Sequence, residues 1–255
     1  VDASGLGATT ETLIDGFVRS WLLLGPYTQD PLTVDPANPG DAIIQLDYLT
    51  DGIDITQDDL GDPEAGDIVE TDFSADLAPG AAASFGLAVI DGTAPNGEAI
   101  NPAGDPTWLL WEDPDDTVDL IAIYGQVDNV VTHALSYIHV ETEIADVDLC
   151  IGSDDAVQVL VDDVEVHINN VARGSGNAGE CQDTVDLDAA LGGPLTAGVH
   201  TVLVKVFQGG GGHQLRVGFK DPTTGNGLEG ISFCLDASAG SCSDFAAVGA
   251  SITFD

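Results

Sequence analysis

Two adjacent carboxylates, Asp154 and Asp155, stand in the run CIGSDDAVQVLVDDVEVHINN and are the residues of this chain best suited to chemistry. Neighbouring Asp side chains present hard oxygen donors, the type that calcium prefers, and loop amides such as Asn169 and Asn170 supply further oxygens of the same kind. The competing reading of Asp154-Asp155 is a tight turn, because Asx side chains hydrogen-bond their own backbone. A second acidic group, Glu112, Asp113, Asp115, Asp116 and Asp119, does not follow the spacing of a calcium loop. A solvated turn is the reading taken for it. Trp108, Trp111 and Tyr27 are candidates for an aromatic face on which sugar C–H groups stack, although Trp21 and one of the pair 108/111 are expected in the core.

Histidines are scattered. His133 and His139 share a strand face, but no converging partners form a zinc set, so surface or structural roles are expected. No nucleophile elbow, no HExxH and no catalytic Cys–His pattern occurs. The four-glycine run Gly209–Gly212 does not precede a helix, so it is a permissive hairpin loop and not a phosphate cradle. Arg173 is expected to form a salt bridge that pins the 169–183 loop.

The charge balance narrows the partners. Asp and Glu number 44 against 5 Lys and Arg, a formal net charge of -39 over 255 residues. Such a field repels nucleic-acid phosphates and anionic lipid surfaces. With 44% apolar residues, the chain is too hydrophobic to be a disordered acidic tail. The charge is read as a solvated surface suited to saline surroundings, with a few Asp residues left as true ligands. Cys150, Cys181, Cys234 and Cys242 show no metal-ligand spacing, and an even count suits two disulfides in an oxidising compartment. Sequence order favours Cys150–Cys181 and Cys234–Cys242, with three pairings formally open. No apolar run is long enough for a membrane span, and the opening at Val1 is read as a processed mature chain.

The elements that must position these residues are strands. FVRSWLLL (17–24) is a buried strand stopped by Gly25-Pro26. Segments 107–111, 130–140, 157–161, 164–168, 201–207 and 215–219 carry period-2 apolar patterns divided by Gly, Asp and Asn. Residues 28–104 read as long acidic loops with a few short strands, and short helical turns are expected near 10–15 or 188–191. The architecture that follows is all-β: one antiparallel β-sandwich over residues 14–235. It is preceded by an N-terminal arm (1–13) and followed by a C-terminal extension (236–255) with a possible extra strand.

The series FVRSWLLLGPY, DYLTDG, PTWLLWEDPDDTVDL, SDDAVQVLVDDVEV, NNVARG and HTVLVKVFQGGGG resembles an extracellular jelly-roll module of planctomycete and myxobacterial type. That module has a galactose-binding-like fold, and its S-D-D-G centre is related to protective-antigen-type lectin domains. The resemblance covers roughly residues 14–235. Ala156 stands where those modules carry Gly, and Asp162-Asp163 where they carry Asn-Gly. The resemblance implies that Asp154 and Asp155, completed by Asn169 or Asn170, hold a calcium ion that in turn holds sugar hydroxyls. The function expected is that of a secreted or cell-surface, non-catalytic recognition module for carbohydrate. The alternative is the structural subunit of a surface layer or fibre, assembled as a homo-oligomer by strand addition through the C-terminal segment.

Overall fold

The computed structural model describes residues 16–28, 63, 65–66, 92–102, 106–113, 115–234 and 242–243. Most of the segment 28–104 expected as long acidic loops with a few short strands, the arm 1–13 and most of the C-terminal extension lie outside the described residues. Within them the strands are β1 (Ser20–Thr28), β2 (Gly92–Thr93), β3 (Ala99–Ile100), β4 (Leu109–Glu112) and β5 (Val118–Asp119). They continue as β6 (Val130–Val140), β7 (Asp148–Asp154), β8 (Ala156–Val161), β9 (Val164–Asn169) and β10 (Asp183–Asp186). The last four are β11 (Gly198–Gln208), β12 (Gln214–Lys220), β13 (Ile231–Cys234) and β14 (Cys242–Ser243). Two one-turn helices, α1 (Leu120–Tyr124) and α2 (Leu187–Leu191), begin at Asp119 and Asp186, whose side chains accept the orphan N–H groups of the first turn. No helix among the described residues is long and apolar enough to cross a membrane.

β2 and β3 pair with each other as a separate two-stranded sheet, and the other strands form two antiparallel sheets packed face to face, as the alternating patterns require. One has the order β14-β13-β6-β11-β8-β9, with β1 also on β6 and β4 on β1; the other has the order β10-β7-β12-β5. β6 is long enough to serve two neighbours along one edge: β1 pairs with it at 130–135 and β13 at 137–140. Even-numbered residues of β6 and β11 (Ala134, Ile138, Val202, Val204, Val206) face Leu149, Ile151, Leu215, Val217 and Phe219 across the inter-sheet core.

The larger sheet is buried on its other face as well. Leu22, Leu24, Tyr27, Trp108, Leu135, Tyr137, Leu160, Leu203 and Phe207 form a second apolar cluster there. Residues 63 and 66 lie on this side, where Tyr137 Oη donates to the Pro63 carbonyl (3.1 Å) and Gly66 N donates to the Trp108 carbonyl (2.8 Å). A continuous apolar run such as VLVKVF is what a strand buried on both faces demands.

The chain changes sheets twice near its key positions. Residues 16–18 first pair with β12, Val18 N donating to the Val217 carbonyl and Phe219 N to that of Gly16, before β1 joins the other sheet. The Phe17 ring lies over Gly218, with Lys220 Nζ 3.9 Å from its centroid. A Cβ at 218 would stand 2.7 Å from Phe17 Cδ1. Gly218→Ala is therefore expected to lift Phe17 and destabilise by about 1–3 kcal/mol in urea unfolding. Gly193→Ala, where a Cβ meets nothing, leaves the midpoint in place.

Candidate functional site

The second change of sheet is the Asp-Asp corner. β7 ends at Asp154 in the smaller sheet and β8 begins at Ala156 in the larger, so Asp155 lies between the two layers. Asp155 is 7% exposed and every polar group it carries is engaged. Its N–H donates to the Phe207 carbonyl (2.9 Å), and its own carbonyl accepts from Ser153 Oγ (2.7 Å). Its carboxylate accepts from Arg173 N (3.0 Å) and from Gly209 N (2.8 Å). One side chain thus ties the β7–β8 crossover to the loops after β9 and after β11.

Asp154 is placed differently. It is half-buried, and its carboxylate accepts a backbone hydrogen bond from Ser175. Partial burial and the neighbouring Asp155 hold its carboxyl above the usual carboxylate range, against that one favourable bond. No Lys, Arg or His is paired with it among the described residues. Its carboxylate lies so close to Gly212 that a Cβ at 212 would collide with it, while a Cβ at 209 would come 3.3 Å from Asp155 Oδ2. The glycine run is thus required by the close approach of two acids at Gly209 and Gly212. The φ of +101° at Gly211 adds the conformational reason.

Asn169 does not join this corner through its amide nitrogen. It ends β9 and donates to Asp183 Oδ1 (3.3 Å). Asp183 also receives Arg173 Nη2 (2.6 Å) and His167 Nε2 (3.0 Å). Burial alone would raise the Asp183 carboxyl, but the hydrogen bond and charge of Arg173, with His167 behind them, hold it below the ordinary range. Arg173 further donates to Ser153 Oγ from Nη2 (2.8 Å), so it does pin the 169–183 loop as its isolation among acids suggested. Asn170 follows half-buried, just past the strand.

That loop lies across the outer face of the smaller sheet. Cys181 is bonded to Cys150 on β7, the pairing that sequence order favours. Arg216, only 1% exposed, donates to the carbonyls of Asn177 (2.5 Å) and Ser175 (2.6 Å). Its guanidinium runs past Gly152, where a Cβ would come within 3.1 Å. Cys234 and Cys242 are register partners across β13 and β14, and no described cysteine is free.

The aromatic candidates separate by burial. Tyr27 (0% exposed) and Trp108 (3%) belong to the second apolar cluster and offer no face to a sugar, because the larger sheet is covered on that side. Trp111 remains partly exposed, its Nε1 donating to Asp113 Oδ2 (3.2 Å). The acids around it have turn duties: Asp113 accepts from Asp115 N, Asp116 from Thr117 Oγ1, and Asp119 caps α1. Among the described residues no group of three or more His, Cys, Asp or Glu side chains is arranged to hold a metal. Of the expected ligand set, Asp154 is the carboxylate left open to a cation. Sequence reasoning missed the structural tie at Asp155 and the centre at Asp183, whose partners lie 10 to 16 residues away in the chain.

These environments make opposite predictions for the two acids. Asp155→Asn replaces one acceptor by a donor facing a backbone N–H, and is expected to cost about 1–3 kcal/mol in urea unfolding. Asp154→Asn in EDTA is expected to raise the melting temperature at pH 7, because ionised Asp154 costs stability above its raised folded pKa. That gain disappears by about pH 3, where the carboxyl is protonated folded and unfolded alike. Comparisons of the chain with protein-family models, with curated proteins and with solved structures find no match.

Proposed function

We propose that this chain is a secreted, non-catalytic recognition module that binds carbohydrate with the help of calcium at the Asp154 corner. The observation that carries the reading is the half-buried Asp154 carboxylate, backed by Asp155 and paired with no Lys, Arg or His among the described residues. A divalent ion there would relieve the repulsion between neighbouring acids and could add backbone carbonyls to its shell. Loops after β7, β9 and β11 meet at this end, giving the kind of rigidly mounted loop cluster on which recognition is built. The extracellular setting is supported by the Cys150–Cys181 bond.

A second reading is favoured by one observation. β9 ends the larger sheet with Val164 40% exposed, and no strand among the described residues pairs with its outer edge. Strand addition between copies at such an edge would make the chain the subunit of a surface layer. The donor segment 246–254 lies outside the described residues.

The experiment is retention of the purified chain on a polysaccharide panel, in calcium and again in EDTA, with light-scattering mass measured in parallel. The expected result is retention on one glycan class that EDTA abolishes and that Asp154→Ala weakens at least about tenfold, roughly 1.4 kcal/mol. Retention unchanged by EDTA and by Asp154→Ala sinks the calcium reading. Absence of retention together with large assemblies transfers the assignment to the surface-layer subunit.

A further inference from the structure

The β8–β9 hairpin turns through Asp162-Asp163, both with positive φ (+48° and +61°), and is pinned to the start of β11 by one imidazole. His200, 7% exposed, has its Nδ1 2.6 Å from Asp162 Oδ2 and its Nε2 2.8 Å from the Thr196 carbonyl. The second carboxylate oxygen, Asp162 Oδ1, accepts from Thr201 N (3.0 Å), and Asp162 N donates to the Thr201 carbonyl (3.1 Å). A backbone carbonyl only accepts, and an ionised carboxylate only accepts, so both contacts are satisfied together only when both ring nitrogens carry protons.

We propose that Asp162, His200 and Thr196 form a pH-operated latch that clamps the tip of the edge hairpin β8–β9 to β11 in acid and releases it in alkali. When His200 loses a proton, one of its two contacts sets a lone pair against an acceptor. The hairpin tip and the 192–200 connection are then held by the remaining contacts alone.

The surroundings isolate this switch. Asp163 follows in the same turn, and His139 on β6 belongs to the opposite face from Ile138, the register partner of His200. Asp188 on α2 is engaged by Asp146 N and Val147 N. Among all these charged groups, Asp162 is the one whose field acts on the imidazole. Its hydrogen bond raises the His200 pKa above the ordinary 6.5, burial opposing. For Asp162, burial would raise the pKa, but His200 and Thr201 bring it below the usual carboxylate value. The His200 contribution is thus complete below about pH 6.5 and is lost as pH rises through the raised folded pKa. The Asp162 contribution is present above about pH 3.8 and is lost only as pH falls through its depressed folded value.

The test is a residue-resolved NMR titration of the five histidines of the intact chain, combined with amide exchange corrected for intrinsic rates from pH 5 to 9. The expected midpoint of His200 lies above 6.5. Protection of the 160–166 and 198–201 amides should fall through that midpoint by tenfold for each unit of its elevation. His200→Gln should make this protection independent of pH, and Asp162→Asn should return the His200 midpoint towards 6.5. A wild-type midpoint at or below 6.5, or hairpin protection unchanged through the titration, overturns the latch. That result needs no variant to fold.

Discussion

The Asp155 carboxylate is the tie on which this end of the molecule depends. The chain leaves one sheet at Asp154 and enters the other at Ala156. A crossover at that depth exposes backbone groups to a nearly dry interior, where each unpaired N–H costs as much as a lost hydrogen bond. Asp155 removes that cost for two loops at once by accepting Arg173 N and Gly209 N, while its own amide is taken by Phe207. The glycines at 209 and 212 follow from the same approach, since a Cβ at either would press on one of the two acids.

A second constraint is the disposal of positive charge. All five cationic side chains are withdrawn from solvent: Arg216, Lys205 and Lys220 are buried, and Arg173 and Arg19 half-buried. Arg216 and Arg173 hold the 170–182 loop against the smaller sheet through carbonyls, Ser153 and Asp183. The charge presented to water is therefore almost purely acidic. Its self-repulsion is eased by salt, and its field discourages anionic partners of every kind. At Asp154 partial burial and the neighbouring Asp155 together hold the carboxyl above its usual range.

Much of the fold was legible from pattern. Period-2 runs at 130–140, 157–161, 201–207 and 215–219 became β6, β8, β11 and β12, because alternation has a direct meaning on a pleated surface. The turn expected near 188–191 is α2, whereas α1, a single turn capped by Asp119, carries too few residues to show a helical period. The covered second face of the larger sheet was visible only as apolar residues of both parities, as in Leu203 and Phe207 beside Val202 and Val206. Tyr27 and Trp108 are core residues for that reason and not a sugar platform.

The candidate site was legible as composition but not as geometry. By itself the sequence determined that this is an acidic, strand-built chain with an adjacent carboxylate pair at 154–155, and it favoured, among three open pairings, the Cys150–Cys181 bond. Those properties are local, set by residue type and spacing. Tertiary structure alone decided that Asp155 faces inward as a tie while Asp154 stays open. It also decided that Asn169 serves Asp183, and that His200 meets Asp162 across 38 residues. Such choices depend on which loops the two sheets bring together. Contacts between distant segments leave no periodic trace in the chain.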